Sequence, residues 1–86
     1  MPTPELIQRV KSLRGELEAL QPDAAKAPAV TELQQHLDAV IREPAQIAHY
    51  TSLSDRLLFH YVGFQIDHPK LATSMESLAN ALSGVS

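Results

Sequence analysis

Apolar positions recur along this chain at intervals of three and four residues, not two. Leu6, Val10, Leu13, Leu17 and Leu20 open the pattern, at spacings of four, three, four and three. That is one face of an α-helix packing on another helix. It lasts only about two heptads, too short to establish a coiled coil. Thr3, Pro4 and Glu5 supply the start: a capping hydroxyl, a proline at the first helical position and an acid at the positive helix end. Gln21-Pro22-Asp23 supplies the stop. Gly15 lies opposite the seam and costs up to about 1 kcal/mol against alanine.

A second helix is predicted from about Pro28 to Arg42. Val30, Leu33, Leu37, Val40 and Ile41 form its buried face, and Glu32, Gln35, Asp38 and Arg42 face away. Pro44 ends it. Residues Ala24 to Pro28 read equally as a loop or an early helical turn. In Glu43 to Thr51, Ile47 and Tyr50 fit either a short helical turn or a loop over the core.

The most apolar stretch, Ser52 to Pro69, is predicted as a third helix running to about Asp67. Ser52 is a good N-cap residue, with Asp55 three positions on in a variant of the capping box. Leu53, Leu57, Tyr61 and Phe64 fall on one face at the helical step. Leu58, Phe59, Val62 and Ile66 fall on another. Arg56, His60, Gly63 and Asp67 share the remaining strip. A helix apolar on two faces is buried on two sides, by the rest of the chain or by another copy. Gly63 either admits a close helix approach or is a tolerated glycine. Proline restricts the residue before it, so His68-Pro69 is predicted as a sharp junction. The fourth helix then begins at Pro69, with Leu71, Met75, Leu78, Leu82 and Val85 as its seam and Gly84 as its C′ residue. Its Leu71, Met75 and Leu78 should fold back on the third helix as an αα-hairpin.

The fold class expected is therefore all-α: three to four short amphipathic helices in antiparallel hairpins, a bundle completed by dimerisation. The 86 residues make a single domain, 1–86. A chain this small buries roughly 60–65% of its unfolded surface, and small helical proteins often gain burial by associating. The dimer surface expected is Leu58, Phe59, Val62 and Ile66.

Composition narrows the chemistry. With no cysteine there is neither a disulfide nor a thiolate, which mildly favours a cytoplasmic protein. The net charge is −3, and Lys11, Arg14, Lys26, Arg42, Arg56 and Lys70 are scattered. No basic run is there to neutralise a row of phosphates, so nucleic acid is not an expected partner. No apolar run approaches the ~18 residues of a membrane span, and MPTPELIQRV lacks a signal peptide's apolar core.

The four histidines, His36, His49, His60 and His68, show no HxxxH or HExxH spacing, so no metal ligands are assigned. Ser52, Ser54, Asp55, His49 and His60 are near in sequence, but a triad needs geometry, and no G-x-S-x-G elbow is present. The reading is a non-enzymatic protein with no catalytic residue and no cofactor, acting through self-association and protein contacts. The alternative is a small-molecule or cofactor binder with a pocket near Tyr61, Phe64 and Met75.

Phe64, His68-Pro69, Leu71-Ala72, the run Leu78-Ala79-Asn80-Ala81-Leu82 and Gly84 together resemble a small bacterial family, domain of unknown function 4404 (DUF4404). The opening ELIQRVKSLRGELEAL is similar to that family's first helix. The middle departs from the family pattern: the third helix is more apolar, and Ala45 to Tyr50 has no clear counterpart. The resemblance implies a short helical protein with no assigned activity, and it transfers no site residue.

Overall fold

The computed structural model describes residues 3–21 and 23–85. It contains α1 (Pro4–Ala19), α2 (Ala27–Arg42), α3 (Ile47–Phe64) and α4 (Pro69–Leu82), with no strand among the described residues.

The Thr3 hydroxyl oxygen accepts from the Leu6 N–H at 3.1 Å, with Pro4 in the first turn. Leu6, Val10, Leu13 and Leu17 are buried. The helix closes at Leu20, whose backbone turns extended. Pro22, expected to share in that stop, lies outside the described residues. The ambiguous segment after it is a helical turn. Asp23 accepts the Lys26 N–H on its side chain at 3.0 Å and the Ala27 N–H on its carbonyl at 3.0 Å. Pro28 then falls in the first turn of α2, where its missing N–H is not needed.

The third helix differs from the expectation at both ends. It starts at Ile47, so Ser52 is an exposed residue inside the helix rather than its N-cap, and Asp55 completes no capping box. Packing outweighs the cap preference here. Tyr50 is buried, and its hydroxyl donates to the Pro44 carbonyl at 2.5 Å, which ties the first turn to the preceding link. The helix ends at Phe64, and residues 65–67 form a turn. The His68 N–H closes that turn on the Phe64 carbonyl at 2.8 Å. His68 is the N-cap of α4 with φ −138° and ψ 66°, outside the helical region that a following proline disfavours. Pro69 occupies the first turn.

At the far end of α4, Gly84 does not take the left-handed conformation of a glycine C′ residue. No glycine among the described residues has positive φ. Instead the Gly84 N–H reaches the Ala81 carbonyl at 3.3 Å and the Val85 N–H the Leu82 carbonyl at 3.0 Å. This tighter turn carries Val85 into the core.

Each helix packs on its neighbour in sequence, and α4 returns to α1. The short links make successive helices antiparallel. The result is a compact bundle of 35 × 20 × 18 Å. The α3–α4 hairpin is the most extensive pairing. Leu53, Leu57 and Phe64 are buried from α3, and Leu71, Met75 and Leu78 from α4. The buried Ser54 hydroxyl crosses that seam and donates to the Ala79 carbonyl at 3.0 Å. Ion pairs fasten the edges: Arg14 with Asp38, Arg56 with Glu32, and Lys26 with Asp67 at 2.5 Å.

Candidate interaction surface

Once α3 has turned Leu53, Leu57 and Phe64 inward, its helical step fixes what faces out. Leu58 is 42% exposed, Phe59 67%, Val62 58%, and Ile66, in the turn just beyond the helix, 92%. Ile47 joins them at 49%. Among the described residues these five are all of the exposed large hydrophobics, and all lie within one 20-residue span, 47–66. At 100° per residue they occupy a stripe about 120° wide. Thr51 and Asp55 fall within it, also exposed.

Ile47 was not among the residues expected from sequence. A helix started at Ser52 leaves it out. Started at Pro44's turn, the same period places Ile47 eleven residues before Leu58 and fifteen before Val62, on one line.

The stripe has a polar shoulder. The Arg56 guanidinium carbon lies 4.5 Å from the centre of the Phe59 ring, a cation–π contact. The His60 ring meets the same ring edge-on at 4.9 Å. Arg56 also donates to Glu32 of α2, and that hydrogen bond holds the Glu32 carboxyl below the usual carboxylate range. His60 Nε2 lies 3.5 Å from Glu32 Oε2 and 3.4 Å from Arg56 Nη2. Phe59 therefore projects from the surface while being held at its base.

Gly63 lies beside the stripe. A Cβ built on it meets nothing within 4 Å, so the glycine serves no close helix approach inside this chain.

The residues expected to wall a ligand pocket are not brought together at one opening. Phe64 and Met75 are sealed in the core at 1% and 0% exposure. Only Tyr61 reaches a surface groove, of about 230 Å³, which it shares with Gln65, Pro69, Ala72, Thr73 and Glu76. The histidines lie apart in role. His49 contacts Glu43 at 3.0 Å, and His68 caps α4 with its ring 6.1 Å from that of Phe64. His36 is half-buried on α2. Among the described residues no three His, Cys, Asp or Glu side chains are grouped to hold a metal ion. Ser54, the buried member of the serine–histidine–aspartate set, spends its proton on Ala79, so it is not paired with a base. No helix among the described residues is long and apolar enough to cross a membrane.

No curated protein and no solved structure matches the chain. The family model described as "Domain of unknown function (DUF4404)" matches residues 6–85, the apolar middle of the chain included. Four packed helices fill that whole length, and the chain belongs to the DUF4404 family.

Proposed function

We propose that this protein works by self-association: a non-enzymatic, cytoplasmic helical module that pairs with a second copy through the outer stripe of α3. The supporting observation is the confinement of the exposed large hydrophobics to Ile47, Leu58, Phe59, Val62 and Ile66. Scattered surface apolar residues need no explanation, but large apolar side chains gathered on one helix face mark an interface. Fully burying a large apolar side chain is worth roughly 1.5–3 kcal/mol, and each member of the stripe leaves part of that unrealised in proportion to its exposure.

A second copy is the occupant best supported. The five side chains lie within residues 47–66 on one outer side of the bundle, so a second copy can bring the same side chains against them. A two-fold pair is the commonest closed assembly. A protein partner would then meet the pair. No nucleic acid, cofactor or catalytic residue enters this reading.

The test is light scattering on the wild type and on Val62→Glu. Dimeric wild type and monomeric, helical Val62→Glu support the reading. A variant as dimeric as the wild type moves the interface elsewhere, and a monomeric wild type ends the proposal.

A further inference from the structure

The seams between the helices differ in strength. The packing of α3 on α4 is the most extensive, and that of α1 on α4 the least. Inside the α3–α4 seam the buried Ser54 hydroxyl donates to the Ala79 carbonyl. Across the α1–α4 seam, among the described residues, one side-chain hydrogen bond is made, and it is exposed. Arg9 Nη2 donates to Ser77 Oγ at 2.7 Å.

Open grooves flank that bond on both sides. One, of about 220 Å³, reaches the buried Leu6 and Val85. The other, of about 300 Å³, reaches the buried Leu13 and Leu78. Arg9 borders both. On α1 the grooves extend from Thr3 to Glu16, most of the helix.

Taken over both of its seams, α1 is the least packed of the four helices. Its ion pair with α2, Arg14 with Asp38, is more than a third exposed, so solvent screens it. Gly15 lowers the helix propensity of its interior. A lone helix of 16 residues is marginal in water, so α1 does not persist as a helix once it leaves the bundle.

We propose that the folded protein opens at the α1–α4 seam: α1 detaches and unfolds while α2, α3 and α4 stay packed, and the Arg9–Ser77 hydrogen bond is the latch. Openings of this kind lie below global unfolding in free energy. The opened state uncovers Leu78 and Val85 of α4, which the closed bundle buries. This motion requires no second copy and stands apart from the pairing proposed above.

Amide hydrogen exchange, followed residue by residue by NMR on the full chain, tests it. In the wild type, the amides of Val10, Leu13 and Leu17 should be protected at least about tenfold less than those of Leu57 and Met75. Gly15→Ala places its methyl group in open space, so the closed state accepts it. It should slow exchange in α1 by up to about fivefold and leave α3 and α4 unchanged, because only the opening of α1 then costs more. Ser77→Ala should speed exchange in α1 by about threefold, again without effect on Leu57. Equal protection of α1 and α3 in the wild type overturns the proposal. So does a Gly15→Ala variant that slows all four helices alike, since that is the signature of a single global unfolding. A Ser77→Ala variant that exchanges like the wild type overturns the latch.

Discussion

Two polar contacts hold α3 in place, one at its first turn and one at its middle, and each makes a measurable claim. The Tyr50 hydroxyl donates to the Pro44 carbonyl while its ring is buried, and burial pushes its ionisation above the usual tyrosine range. Tyr50→Phe keeps the packing and loses the hydrogen bond, so thermal or urea unfolding should register a loss of about 1 kcal/mol. Since the folded hydroxyl ionises above its unfolded value near pH 10, its stabilisation is complete below that value and fades as pH rises through the folded one. Glu32 behaves in the opposite sense. Its hydrogen bond from Arg56 depresses the carboxyl, so the pair stabilises above the unfolded carboxylate range near pH 4.3 and is lost as pH falls through the lower folded value. Both partners are about one third exposed, which limits the contribution to about 1 kcal/mol or less. Glu32→Gln should be the less stable protein at pH 7 and should converge with wild type in strong acid; a gap that persists there would assign the effect to packing instead.

At the scale of the element, the glycine in α3 separates intrachain from interchain effects. Gly63 has open space around it, so Gly63→Ala should raise helix stability by up to about 1 kcal/mol in a chemical unfolding experiment on the Val62→Glu background. A loss there would mean that the chain itself packs against that position. Helical spacing alone was enough to read four helices and most of the core, because Leu6, Val10, Leu13 and Leu17, or Leu71, Met75 and Leu78, repeat a period that only a packed helix uses. The start of α3 was not legible. Ser52 is a good capping residue, and nothing local says that it is overruled by Tyr50, whose anchor, Pro44, lies in the link before the helix. The cost was Ile47, the fifth member of the surface stripe. Nor does sequence reveal that Gly84 forgoes its left-handed turn, since that choice follows from the pull of Val85 into the core. The sequence is equally silent on how the hairpin closes: it covers Phe64 and Met75, so of the three residues expected near a pocket only Tyr61 reaches a surface groove.

On the scale of the whole molecule, the bundle satisfies itself on one side of α3 and leaves the other apolar. Core and surface substitutions should therefore separate cleanly. Leu57→Ala, at a fully buried site, should cost about 2–5 kcal/mol and broaden or abolish cooperative unfolding. Phe59→Ala, at a site 67% exposed, should leave the isolated fold nearly unchanged and weaken association instead. The central claim is that a second copy covers the stripe, and sedimentation equilibrium of the wild-type chain tests it most directly. Across a series from low to high micromolar concentration, the mass should rise toward twice the 9.4 kDa of one chain, with Val62→Glu held at the single-chain value. A wild type that sediments at 9.4 kDa throughout the series contradicts it.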